Sequence, residues 1–569
     1  MNLTYKKRKK MSRNRNIVLS WLLLVSSLGT FAQSKLKDTV EVDVVKAFQP
    51  TIVDAVKIND NPIIIDTTKK IPVLNYSIQS KKINTVFDID PINPAKMVGE
   101  PLAKLYHGLV KAGFGNYTTP YGELFYNNLR SKEYSTGIHL KHLSSAATLK
   151  DYGFSGYSDN DVSVYGKKFI NKQTLSGDLD YTRNVVHAYG YVGYDIGPVY
   201  LPPITKQRFS FINPKAELVS YFKDSSRVNH DIRLSYYNLN DINKATENNV
   251  LADAIFKTYI GGDEPLTVKT AVDYYNNKTP KDISHNVIIK LSPFTSFQGH
   301  KYNANVGMTV VGDVGITNTF HFYPNADINY QVIDNIFIPY AGVSGGWNKN
   351  SFKALSNANP FVSSDIILKN SNNKYNLYAG LRGTLESATS FNLKGTYSSI
   401  NDMLFFVNNT SGLGNKFNVI YDDATQLNLH GEISYQKNEK LRLLAKGDYY
   451  NYTLKNELAA WYKPQMEFAF SGNYNLRDKI VVKVDIFVLS KQYAKVFVPA
   501  DSANGVYVST IAKKELKSIA DINLGTEYRY NKKLSAFVNL NNVGAFRYYR
   551  WYNYPAQRFN FIAGFTYSF

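Results

Sequence analysis

The residues best suited to gripping a ligand are gathered in one stretch near the end of the chain, Phe546-Arg547-Tyr548-Tyr549-Arg550-Trp551-Tyr552-Asn553-Tyr554-Pro555. Aromatic faces take the flat sides of sugars and planar groups, and arginine forks pair with anions. Arg547, Tyr548, Tyr549, Arg550, Trp551, Tyr552 and Tyr554 are therefore the candidate ligand contacts. The same composition suits an interfacial girdle, with rings in lipid and polar tips in water. Nothing nearby supports covalent chemistry. His139 and His142 are three residues apart, which on a strand puts them on opposite faces and prevents a two-histidine metal clip. Asp159-Asn160-Asp161 and Asp422-Asp423 lack the distal Glu of a calcium loop. Tyr165-Gly166-Lys167-Lys168 lacks the glycine spacing of a phosphate loop, and there is no Gly-x-Ser-x-Gly elbow. With no cysteine, the chain has no disulfide, no thiolate ligand or nucleophile, and no lipid-anchor site. The sequence thus predicts no enzyme, no metal site and no cofactor.

Those residues must be held by strands. The chain carries 44 Tyr and 32 Phe among 569 residues, yet only 44% of it is apolar, which excludes a helical membrane bundle. After residue 32 no apolar run reaches the length of a spanning helix, and short alternating segments dominate. Phe559, Phe561, Ala563, Phe565, Tyr567 and Phe569 share one face of the last segment, opposite Arg558, Asn560, Gly564, Thr566 and Ser568. Leu427, Leu429, Ile433 and Tyr435 oppose Gln426, Asn428, His430, Glu432 and Ser434, and Tyr375, Leu377, Ala379, Leu381 and Leu385 oppose Asn376, Gly380, Arg382 and Glu386. One face meets lipid and the other lines a wet lumen. Connections alternate short and long, as outer-membrane barrels require. Short turns fall near 531–533, 475–478, 437–439, 387–389, 333–334, 261–263, 224–226 and 131–132, and long connections near 542–557, 489–514, 401–423, 347–373, 239–248, 195–206 and 144–157. Around 276–316 the lengths are more equal. The expectation is an all-β transmembrane antiparallel barrel of about 22 strands over residues 107–569.

The N-terminal region divides in two. Lys6 to Lys10, Arg13 and Arg15 precede the apolar run Ile17 to Phe31, and Thr30-Phe31-Ala32 offers small residues at the cleavage positions. Residues 1–32 read as a secretory signal peptide cut near Ala32, with Met11 as an alternative start. Its loss removes seven positive charges and takes the net charge from +20 to +13. The remaining cations are spread over strands and loops rather than gathered in one patch, so no nucleic-acid partner is expected. They suit anionic lipid, including lipopolysaccharide, or anion passage. Residues 33–106 hold Pro50, Pro62, Pro72, Pro91, Pro94 and Pro101 and read as a separate, loop-rich periplasmic or lumenal segment.

Asp521-Ile522-Asn523-Leu524-Gly525, Leu534 to Asn542, Tyr552-Asn553-Tyr554-Pro555 and Gly564 to Phe569 together resemble the end of a TonB-dependent receptor barrel, and the overall style, with the Ala32-Gln33 junction, is similar to proteins of Bacteroidota. The resemblance implies a 22-stranded barrel closed by an N-terminal plug and energised by TonB. Asp38-Thr39-Val40-Glu41-Val42-Asp43-Val44 resembles the box that pairs with TonB by strand addition, and also reads as a plain strand or linker. Residues 33–106 make a shortened plug without a Gly-rich plug motif. Phe565, Tyr567 and Phe569 resemble the signal read by the barrel-assembly machinery, besides contacting lipid. Three functions fit: receptor-like uptake of a solute, passage through a passive porin-like channel, and a non-transporting scaffold for a periplasmic partner or a surface lipoprotein. All three place the chain in the outer membrane. Fractionated cells should yield it in the outer-membrane pool as a band that migrates differently unboiled and boiled; a soluble, heat-insensitive band would argue for a soluble sandwich.

Overall fold

The computed structural model describes residues 105–190, 202–223, 227–260, 264–315, 318–409, 414–499 and 509–569. The signal peptide and the Asp38–Val44 stretch lie outside them. Among the described residues, 22 strands form one sheet in which each pairs antiparallel with the next, from Gly108–Gly115 to Asn560–Ser568. The last strand pairs with the first over seven residue pairs, Leu109 opposite Ser568 through Gly115 opposite Ile562, and closes the barrel. The backbone of Phe569 extends the closure, exchanging hydrogen bonds of 3.0 Å with Gly108 in both directions. Gly108 leaves room for the Phe569 ring, which a Cβ, placed 2.2 Å from it, would push aside.

Alternation along the strands separates lipid from lumen as the sequence suggests. Leu377, Leu393, Leu429, Phe565, Tyr567 and Phe569 are exposed on the outer face, whereas Asn376, Glu432 and Thr566 are buried on the inner one. Tyrosines mark the two edges of the apolar band. Tyr302, Tyr330, Tyr474, Tyr528 and Tyr567 are exposed at one edge. Near the other edge, exposed Tyr236 donates to Asn248 Oδ1 at 2.9 Å, and the Tyr274 hydroxyl lies 3.1 Å from His285 Nδ1.

Turns on the first edge are short. Only Ser387 and Ala388 join Glu386 to Thr389, and only Asn171 and Lys172 join Ile170 to Gln173. Asn171 (φ 52°) and Asn438 (φ 56°) take the left-handed conformation that tight antiparallel turns need and that Asn tolerates. This is the periplasmic side, and the long connections lie outside. Three stretches read as long loops behave otherwise, and one of them, 489–514, is largely a separate hairpin of Gln492–Pro499 with Ser509–Leu516. Residues 401–423 are mostly strand: Thr389–Asn408 and Phe417–Lys437 continue beyond the membrane, across a bulge between Ile400 and Met403 that breaks the period-two pattern. The connection near 239–248 is only 242–245. In the middle region, the connections 279–282, 299–301 and 315–318 are similarly short, as their equal spacing suggests.

The wall is weakest at one seam. Thr319–Tyr330 and Ile338–Asn348 share only four residue pairs, Ala326–Asn329 with Tyr340–Val343. Above them, a register shift between Ser344 and Gly346 parts the second strand from Thr319–Tyr330, while its upper end stays paired with Ser371–Glu386 as far as Asn348 opposite Ser371. The lipid-facing assignment has a sharp consequence. Leu393→Arg, on the lipid-facing side of the membrane-crossing half of its strand, should cost about 2–4 kcal/mol in urea unfolding from liposomes. Thr396→Arg, on the inner face of the same strand, should cost well under half as much; equal losses would overturn the assignment.

Candidate ligand site at the extracellular mouth

Beyond the bulge, the chain turns into the mouth. The Trp347 ring stacks on His321 with centroids 4.5 Å apart, and Lys290 Nζ donates to the Trp347 carbonyl at 3.2 Å. Lys349 Nζ reaches Asp273 at 2.7 Å, Asn370 Nδ2 donates to Asp313 at 2.9 Å, and the Tyr275 hydroxyl donates to Asn370 at 3.1 Å. Both ends of the connection 349–370 are thus tied to the inner wall by groups that alternation points into the lumen. Between these ties lies a short helix, Phe352–Ala358. Ser351 caps it, its hydroxyl accepting from Ala354 N at 3.1 Å. The Glu247 carboxylate, fully buried on the opposing strand Thr246–Ile260, accepts from the N–H groups of Phe352 (2.6 Å) and Lys353 (3.2 Å) and from the Tyr237 hydroxyl (2.8 Å). A carboxylate at a helix start satisfies otherwise orphaned donors. Asp241 accepts in turn from the Gln207 side-chain amide at 3.1 Å and from the Ser364 hydroxyl of the inward connection.

Above these polar ties the outer loops share an apolar core. It joins Phe209 and Leu239, on the sixth and seventh strands, to Phe352, Leu355 and Val362 of the inward connection and to Phe405 and Phe417 on the fifteenth and sixteenth. Strands nine places apart in a ring of 22 face each other, so this core crosses the mouth. The aromatic stretch near the C-terminus belongs to it. Tyr554 stacks on Phe361 with centroids 4.0 Å apart, and its hydroxyl donates to the Asn415 carbonyl. Trp551 packs against Tyr462, Phe417 and Phe406 at 4.9, 5.2 and 5.3 Å. Burial holds the Tyr554 hydroxyl far above its ordinary pKa, so it remains a donor.

The sequence-derived candidates therefore divide. Tyr554 is buried and Trp551 is half-buried in the loop core, so neither serves as an interfacial girdle. Tyr548 donates to Asp521 at 2.5 Å, Tyr549 meets the Tyr152 hydroxyl at 3.2 Å, and Tyr552 packs at the core's margin. Arg547 and Arg550 remain exposed, Arg547 lying 5.5 Å over the Tyr152 ring. Phe565, Tyr567 and Phe569 face lipid. His139 turns inward to Glu123 at 3.0 Å, while His142 turns outward, the opposite-face placement their spacing implies. Among the described residues no group of His, Asp and Glu is placed to hold a metal.

A cavity of about 430 Å³ opens under the helix, walled by Phe209 and Phe211 and by Tyr157, Asp159, Asn184 and Lys353. Lys353 Nζ lies 3.8 Å over the Phe211 ring and 4.8 Å over Tyr237. Apolar faces with a cation, a carboxylate and an amide converge here, the pattern of a site for a small polar solute. Of these residues the sequence singles out Asp159 alone, and as part of a calcium-loop pattern that lacks its distal Glu. They come from separate strands and one loop, and the one local signal was Gly345-Gly346, which marks the bend that carries the loop inward.

No family model matches the sequence, and no curated protein matches it. Solved structures do match. The pyoverdine receptor FpvA of Pseudomonas aeruginosa PAO1 aligns over 83% of this chain and 79% of its own with a TM-score of 0.62 and 13% identity. The FrpB iron transporter of Neisseria meningitidis aligns over 82% of each chain with a TM-score of 0.62 and 9% identity. The siderophore receptor PirA of Acinetobacter baumannii covers 83% of this chain and 81% of its own, with a TM-score of 0.62 and 10% identity. This chain has the fold of an outer-membrane receptor barrel. The closed ring and the lipid-facing band place it in the outer membrane.

The Glu247 tie is open to test in this barrel. Glu247→Ala leaves two helix N–H groups and a tyrosine hydroxyl without an acceptor, at a cost of about 1–3 kcal/mol. Hydrogen exchange at Phe352–Ala358 should quicken while strand amides keep their protection; unchanged exchange in the helix would show that the carboxylate does not hold the loop.

Proposed function

We propose that the barrel takes up a small solute across the outer membrane, receiving it at the mouth and drawing on TonB through Asp38–Val44. The observation that carries this reading is the apolar loop core joining opposite walls of the mouth. A passive channel gains nothing from a mouth crossed by packed side chains, whereas a receptor needs an outer surface that binds before it admits. The likeness to the barrels of pyoverdine, ferric-catecholate and siderophore receptors supports the same reading at the level of fold. The cavity beside Lys353 accepts a solute with a flat or sugar-like face for Phe209 and Phe211 and an anionic group for the ammonium. In this reading residues 33–106 occlude the lumen as a reduced plug.

Planar-bilayer conductance separates receptor from channel. The intact protein should show no steady conductance, and removal of residues 33–106 should produce one. A large steady conductance from the intact chain would replace uptake by passive passage, and none from either form would favour a scaffold. The periplasmic domain of TonB should bind the full chain and fail to bind one lacking Asp38–Val44; equal binding would remove the energised step.

A further inference from the structure

Four neighbouring strands, Tyr134–Ser145, Tyr157–Ile170, Gln173–His187 and Lys206–Ser220, carry an unusual set of residues on their lipid-facing side. Exposed Val162, Val164, Leu179, Tyr181 and Ile212 identify that side. Counting upward by twos from them reaches Asn160, Arg183, Arg208 and Lys206 just above the outer tyrosine level. The register sets His142 opposite Asn160 and Asn160 opposite Arg183, with Arg208 opposite Val185 one step along. These side chains form one outward strip at the height where lipid headgroups begin.

The strip holds, among the described residues, positive charge without a counter-charge. Among the described residues, Arg183, Arg208 and Lys206 make no ion pair, and the Arg208 Nε is buried with no acceptor. The carboxylates of the same strands point the other way: Asp159, Asp161 and Asp180 occupy lumen-facing positions, and Asp180 is bound there to Lys215 at 2.6 Å. Beside the cations, His142 lies 2.7 Å from Asn160 Oδ1 and 3.1 Å from the Ser144 hydroxyl, so imidazole, amide and hydroxyl groups also face outward.

We propose that this strip binds the phosphorylated sugar headgroup of an outer-leaflet glycolipid, with its acyl chains lying down the apolar face below. Guanidinium forks match phosphate oxygens, and Arg183 and Arg208 bring two of them to neighbouring strands. The polar groups around His142 suit sugar hydroxyls. Width argues for this occupant over a single glycerophosphate: three strand spacings separate the His142 strand from the Arg208 strand, about 14 Å, more than one phosphate spans and close to a phosphorylated disaccharide.

The test uses the full chain in detergent and reads lipid binding by native mass spectrometry, with no transport step in the readout, so it stands or fails apart from the uptake reading. Bisphosphorylated lipid A should bind, and Arg183→Gln/Arg208→Gln should weaken it at least about tenfold while unboiled gel mobility stays that of the folded barrel. Arg183→Lys/Arg208→Lys, which keeps the charge and removes the forks, should fall between the two. Dephosphorylated lipid A should bind wild type as weakly as bisphosphorylated lipid A binds the Gln variant. Undiminished binding by the Gln variant overturns the proposal, as does phosphatidylglycerol binding as tightly as lipid A. Displacement of lipid A by an equal concentration of inorganic phosphate would reduce the strip to a bare anion site and likewise overturn it.

Discussion

A peptide group in hydrocarbon has no water to bond, and each one left unpaired there costs several kcal/mol. That constraint organises the barrel. A sheet in the membrane can have no free edge, so the first and last strands must find each other across more than four hundred residues of intervening chain. They do so through the seven pairs from Leu109–Ser568 to Gly115–Ile562, and the terminal residue adds its own backbone to the closure. Gly108 serves this seam, leaving the space that the Phe569 ring occupies. The aromatic end of the chain is therefore at once a lipid contact and part of the lock.

Closure leaves freedom only at the extracellular end, and the molecule uses it. Where strands rise above the apolar band, water can satisfy the backbone, so bulges and bends become affordable. The pair Thr389–Asn408 and Phe417–Lys437 crosses one such bulge and brings Phe405 and Phe417 into the loop core. The strand Ile338–Asn348 crosses another and sends the connection 349–370 inward. The inward segment would expose helix donors and amides to a partly dry interior, and Glu247, Asp241 and Asp313 meet them from the wall. Polar side chains on the inner faces of strands thus serve a folded lid as readily as a water-filled pore, and which of the two they serve depends on the loop above them.

Period-two alternation made the barrel legible in the sequence. Leu393, Leu429 and Phe565 face lipid because a one-residue slip would place every neighbouring charge in hydrocarbon, a penalty large enough to be written into every strand. Short turns such as Ser387-Ala388 and Asn438 are local too, and they gave orientation and strand number. The pattern failed where the penalty vanishes: 401–423 looked like loop because its side chains answer to a loop core rather than to lipid and water on two sides.

The sequence by itself determined that the chain is a closed membrane barrel and which face of each strand is greasy, because these depend on neighbours one or two residues apart. Only the tertiary structure decided what the mouth is made of. Tyr554 and Trp551, which read as an interfacial girdle before they read as ligand contacts, became core once residues from opposite walls closed over them. Glu247 and Lys353, unremarkable in the sequence, became the helix tie and a cavity wall. Such roles depend on contacts between segments a hundred residues or more apart, and no local pattern records which distant partner a side chain will meet.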